Sequence, residues 1–159
     1  MSKVLDFNEA QNMMQEKYVN KVLGFLRGES TRVASNADFM EVYNLISNQC
    51  DLGDCSAKVY EYFVKCIESY IKDELVQMTK NKTGESMVES YVQCQKNFLM
   101  FSALLCRMFE YLNKYFIKLK SLPELGEKCM TSYKTLYFEA QKNEIRDAVL
   151  LQITKDRKG

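Results

Sequence analysis

The chain has no histidine and no tryptophan, a single proline and six glycines among its 159 residues. The missing histidine removes the commonest general base, the commonest metal ligand and every Ser-His or Cys-His nucleophile pair in one step. So little proline and glycine argues against compact β folds, whose many turns draw on those residues. An excess of one charge is lacking as well. Lys and Arg number 22 against 21 Asp and Glu, a net charge of +1, so no sequence-wide field draws the chain to nucleic acid or to an anionic membrane. The basic Lys155-Asp156-Arg157-Lys158 stretch is short and mixed, and reads as a solvated helix end. Long apolar runs are missing too: the longest apolar-rich segment, Phe98 to Cys106, stops at Arg107. Neither a membrane span nor the apolar core of a signal peptide is expected, the segment Met1 to Glu9 included.

What is present is the material of a helical core. With 47% hydrophobic and 27% charged residues, the composition is globular rather than disordered, and the length suits one folded unit. The six cysteines, at positions 50, 55, 66, 94, 106 and 129, mostly sit at helical core spacing among Phe, Met and Leu, where a free thiol behaves as a small hydrophobe. They are expected to be reduced, in cytoplasm or nucleus.

Cys50 and Cys55 form the only close cysteine pair, and no second pair follows to complete a zinc knuckle. Gly24 and Gly28 lack the strand-turn-helix setting and the Lys-Ser/Thr ending of a phosphate loop. Carboxylate pairs such as Asp73-Glu74 or Glu124 with Glu127 lie in lysine-rich helices, where such groups normally serve as solvated faces or i,i+4 partners. No catalytic residue, metal ligand or cofactor is expected, and the chain reads as a non-enzyme.

Along the chain, Phe7, Ala10, Met14, Tyr18, Val22 and Phe25 recur at the spacing of one helical face, and Gly28 ends that helix. Asp38 followed by Glu41 fits a capping box for a short second helix beginning near Phe39 and running to about Cys50. A third helix is expected from about Ser56 to Met78, followed by a turn at Asn81 to Gly84. The fourth and longest is expected from about Glu85 to Lys120, with Cys94, Phe98, Phe101, Leu105, Met108, Leu112 and Phe116 along its apolar face. Pro123 fits the first turn of a fifth helix reaching about Lys142. From Asn143, read as a cap, Ile145, Ala148, Val149, Leu151 (or Leu150) and Ile153 suggest one more helix, which either packs back on the domain or leads into something longer.

The second helix differs from the others. Val42, Leu45 and Gln49 line one side; Phe39, Tyr43, Ile46 and Ser47 line another, with Met40 between, so apolar residues cover more than one core-facing stripe needs. Either the extra stripe is an exposed aromatic patch for a partner, or Phe39 and Tyr43 are core in a crowded bundle.

This order of elements resembles a cullin repeat, and four segments carry the resemblance. Leu5-Asp6-Phe7-Asn8-Glu9 is similar to the acidic opening of several cullins. Phe39-Met40-Glu41-Val42-Tyr43, closed by Asn48-Gln49-Cys50, resembles the aromatic-Met-Glu-Leu-Tyr start of the cullin second helix. Tyr111-Leu112-Asn113-Lys114-Tyr115-Phe116-Ile117 resembles the family's Tyr-Leu-Asn/Asp-Arg-x-Phe/Trp-Ile/Val segment. Ala148 to Gly159 resembles its Ala-Val-x-x-x-Ile/Val-x-x-Glu-Arg-x-Gly signature. Gln11 stands where many cullins have Trp, and Tyr133-Lys134-Thr135 where Trp/Phe-Arg-Asp is usual, which marks a divergent member. Gly126 stands where several relatives carry an adaptor-facing Tyr on the fifth helix.

The resemblance implies an all-α, cullin-repeat-like bundle of about five helices plus the start of a sixth, with residues 1–142 as a first repeat and residues 143–159 as a leading helix of the next or a packed C-terminal helix. It implies a non-catalytic scaffold that docks a Skp-like, elongin-like or BTB adaptor of a ubiquitin ligase. Phe39, Met40, Tyr43, Ile46 and Ser47 would form the adaptor face, with Gly126 and Met130 on the fifth helix. The later repeats and the end that holds a RING partner are not covered, so no RING partner is expected here. A fragment of a full cullin, a naturally short decoy that sequesters adaptors, and a structural helical protein that self-associates through the same patch remain alternatives.

Overall fold

The computed structural model describes residues 5–158, the last through its backbone alone. Met1 to Val4 and Gly159, which bound the two terminal segments read above, lie outside the described residues. Among those described, all regular structure is helical, and no helix is long and apolar enough to cross a membrane.

In chain order the helices are α1 (residues 7–26), α2 (Asn36–Asp51), α3 (residues 56–79), α4 (residues 84–120, with a turn at Phe109) and α5 (residues 125–158). All but α2 contain one wider π turn, at Gln15–Val19, Ile71–Leu75, Leu112–Ile117 and Lys134–Phe138.

Their ends follow local chemistry. Asp6 caps α1, its carboxylate accepting the Asn8 N–H at 3.2 Å. At the other end Gly28 takes a left-handed φ of 79°, and the N–H groups of Glu29 and Gly28 return to the carbonyls of Gly24 and Phe25. This doubled closure satisfies two carbonyls that would otherwise lack partners, and it needs a residue without Cβ strain at the bend.

The chain divides into two compact units, one formed by the stretch up to Lys65 with Phe101–Lys128, the other by Cys66–Met100 with the stretch from Cys129 onward; α3, α4 and α5 each contribute to both. In the first unit Ala10, Met14 and Val22 of α1, Val42 and Ile46 of α2, Val59 and Phe63 of α3, and Leu105, Met108 and Phe109 of α4 are buried. Phe63 meets Phe109 edge to face at a centroid distance of 5.3 Å, the arrangement aromatic rings favour. The Tyr18 hydroxyl crosses from α1 to donate to the Leu104 carbonyl at 3.0 Å.

In the second unit Phe98 of α4 stacks on Tyr133 of α5 at 4.6 Å, and Tyr137 lies against both Tyr133 and Tyr91. Farther along α5, Ile145 and Ala148 bury against Met87, so this part of the C-terminal apolar pattern packs back. Val149, Leu150, Leu151 and Ile153 stay exposed.

Three local expectations are corrected. The cap of α2 is Ser35, whose hydroxyl accepts the Asp38 N–H at 3.1 Å while the Asp38 carboxylate accepts the Ser35 N–H at 3.2 Å. Asp38 is therefore the third residue of the helix and not its cap. Pro123 lies two residues ahead of α5, whose first N–H, that of Leu125, is accepted by the Asn113 side chain at 3.0 Å. Asn143 lies inside the continuous helix Glu139–Lys158, because burial of Ile145 and Ala148 carries the helix past it. No break in secondary structure marks residues 142 and 143.

Candidate functional site

The capping box starts α2 one turn before Phe39, and Asp38 is also held by the Lys21 ammonium of α1 at 2.6 Å. These partners hold the Asp38 carboxyl below the ordinary carboxylate range, the Lys21 hydrogen bond first and the Ser35 backbone next. Val42, Ile46 and Gln49 then form the buried stripe. Gln49 donates its side-chain amide to the Leu5 carbonyl at 2.7 Å, fastening the segment before α1.

That placement settles how the two-sided pattern is used. Ile46, expected on the partner face, is fully buried and supports the surface from beneath, because it lies one turn after Val42 on the stripe that faces the core. Met40 is 52% exposed, and Phe39 and Tyr43 are half-buried. Ser47 is half-buried and its hydroxyl donates back to the Asn44 carbonyl at 3.0 Å.

Phe39, Met40 and Tyr43 form one wall of a groove of about 530 Å³. The opposite wall is α4, through Ala103, Cys106, Arg107, Glu110 and Lys114. A run of aromatic rings borders it, Tyr18 to Phe39, Phe39 to Tyr43, Tyr43 to Tyr111 and Tyr111 to Tyr115, with centroid separations from 4.6 to 6.3 Å. The Arg107 guanidinium lies over the Phe39 ring, 4.5 Å from its centroid, within the range of a cation–π attraction. Burial pushes the Tyr18 phenol up, and the nearby Arg107 charge opposes that shift.

At the far end the Tyr111 hydroxyl donates to the Asp51 carboxylate. That bond is the first cause of a phenol held well above its ordinary value, since ionising it would set two anions together.

The α4 wall was not among the residues singled out from sequence. Positions 103, 106, 107, 110 and 114 do share one helical face, but small and charged residues spaced this way read as a solvated surface until the facing helix is known. Gly126 does not line the groove; it is exposed in the first turn of α5, where an added Cβ would meet nothing within 4 Å. Met130, in the second unit, is half exposed on α5.

The arrangement offers half-buried rings, one exposed thioether and flanking charges, which suits binding of a protein segment. None of the six cysteines is joined in a disulfide. Among the described residues no cluster of three or more Cys, Asp or Glu is placed to hold a metal ion.

The family model described as the cullin alpha solenoid domain matches residues 11–159. Cullin-1 of Oryza sativa subsp. japonica is 29% identical over 160 residues, which cover 99% of this chain and 21% of that protein. Putative cullin-like protein 2 of Arabidopsis thaliana is 23% identical, with 98% and 42% covered. Cell division control protein 53 of Saccharomyces cerevisiae is 21% identical, with 91% and 21% covered. The chain thus spans about a fifth of Cullin-1 and of cell division control protein 53, and under half of putative cullin-like protein 2.

Proposed function

This chain belongs to the cullin family, as a match from residue 11 to residue 159 shows, and on that premise we propose that it is a non-catalytic scaffold module whose α2–α4 groove docks a substrate adaptor of a ubiquitin ligase. The observation that carries the reading is the exposed Met40 between half-buried Phe39 and Tyr43 on a helix whose other face is locked into the core. Anchors fixed before binding lose little conformational freedom on docking, and truncating such a residue typically costs about 2 kcal/mol of binding or more.

The reading as a binder and not an enzyme draws on the absent histidine and on the clefts. Asp38 lies in the cleft formed with Lys21, Gly24 and Arg32, and the Lys21 hydrogen bond, followed by that of the Ser35 backbone, makes it a stronger acid, the opposite of what a general acid or base working near neutral pH requires.

The adaptor face proposed is Phe39, Met40 and Tyr43 with the α4 wall. Ser47 lies farther along α2, and Gly126 and Met130 are secondary candidates on α5. The test mixes the purified chain with Skp-like, elongin-like and BTB adaptors and measures complex formation by calorimetry. We expect one class to bind at micromolar concentration or tighter and Phe39→Ala to lose that binding. Failure of every class, with dimerisation of the chain alone through the same patch, would overturn the adaptor reading in favour of self-association.

A further inference from the structure

The groove is apolar on its α2 side and cationic on its α4 side. Arg107 and Lys114 are seven residues apart on α4, which puts them two turns apart on one face. Neither makes an ion pair with a carboxylate among the described residues. Glu110 lies between them in the wall and accepts a hydrogen bond from the Asn113 side-chain amide at 3.4 Å. Arg107 and Lys114 against Glu110 leave the lining with an excess of one positive charge.

Arg107 is also prepositioned, since its guanidinium already lies over the Phe39 ring. A guanidinium stacked on an aromatic face keeps N–H donors in its own plane, arranged to match a carboxylate. An aromatic and thioether wall beside a positioned cation selects for a segment that offers both kinds of group close together.

Resting on the docking reading above, we propose that the segment received by this groove is acidic as well as apolar: an apolar side chain enters between Phe39, Met40 and Tyr43, and an Asp or Glu close to it in the segment meets Arg107, with Lys114 adding attraction at longer range. Charge complementarity of this kind sets partner choice and encounter rate more than it sets bulk affinity. A neutral or basic segment would leave Arg107 desolvated against nothing, which disfavours it.

The test selects a displayed library of random short peptides on the folded chain, and repeats the selection on the double variant Arg107→Glu, Lys114→Glu and on Phe39→Ala. Both cations are exposed, so the double variant should keep the helical circular dichroism of the parent and lose in melting temperature no more than Arg107→Ala, which removes the same contact with Phe39. Expected are peptides pairing apolar residues with Asp or Glu, weakened about tenfold or more by charge reversal, weakened by added salt, and lost with Phe39→Ala. Peptides without carboxylate enrichment, binding indifferent to charge reversal, or no enrichment at all would each overturn the inference. The adaptor panel, run in parallel on the same variants, separates the two readings. Adaptors that need Phe39 but ignore Arg107 and Lys114 leave docking standing and remove the acidic preference. Acidic peptides that bind where no adaptor does keep the preference and remove the adaptor.

Discussion

The Arg107 guanidinium of α4 lies over the ring of Phe39 in the first turns of α2, 4.5 Å from its centroid, tying the two walls of the groove at their most aromatic point. An exposed contact of this kind contributes about 0.5–1 kcal/mol. Arg107→Ala should therefore lower unfolding stability in urea by about that amount, and Arg107→Lys should recover only part of it, since a compact ammonium stacks less well.

Met40 and Ile46 lie on the same short helix and should respond in opposite ways. Met40 is 52% exposed and Ile46 is fully buried. Met40→Ala should leave the unfolding free energy within about 0.5 kcal/mol of the parent while weakening adaptor binding measured by calorimetry. Ile46→Ala should cost about 2–5 kcal/mol of stability through the cavity it leaves.

Ser35 starts α2 with a reciprocal pair of hydrogen bonds to Asp38. Ser35→Ala removes the hydroxyl half and should destabilise the chain by about 1 kcal/mol. Chemical denaturation reads the loss, and Ser35→Thr or Ser35→Asp should restore most of it.

Asp38 carries an acid signature. Its native pKa is depressed, first by the Lys21 hydrogen bond, so the stabilisation it provides is complete above the ordinary aspartate value and disappears as pH falls through the lower native value. Between about pH 7 and pH 3, the parent should lose more stability than Asp38→Asn, measured by urea denaturation at each pH. Equal losses would show that the ion pair with Lys21 contributes nothing.

Tyr111 gives the mirror case at alkaline pH. Its native phenol is raised, chiefly by donating to Asp51, so its stabilisation is complete below the ordinary tyrosine value and fades as pH rises through the native one. The stability difference between the parent and Tyr111→Phe should be positive near neutrality and shrink toward zero above about pH 10. Equilibrium unfolding at matched ionic strength measures it.

The start of α2 shows where local reading stops. Ser35 with Asp38 and Asp38 with Glu41 are both acceptable capping pairs by residue type, and the choice went to Ser35 while Asp38 also reaches Lys21 on another helix. Ile46 is ambiguous in the same way. It completes a helical stripe with Phe39 and Tyr43 and another with Val42 and Gln49, and only packing against the rest of the first unit selects the second. Asn143 has the side chain of a cap, yet burial of Ile145 and Ala148 beside Met87 carries the helix through it.

The sequence by itself determined the helical class, most helix limits and the family, because period, end residues and motif order are properties of neighbours along one chain. It also marked Phe39, Met40 and Tyr43 as more apolar than a single buried stripe requires. Only tertiary structure decided that the opposite wall is the Ala103-to-Lys114 face of α4 and that Ile46 lies beneath the surface. Which face of a long helix meets which neighbour depends on contacts between residues nearly 70 positions apart, as between Phe39 and Arg107, and no local pattern encodes that pairing.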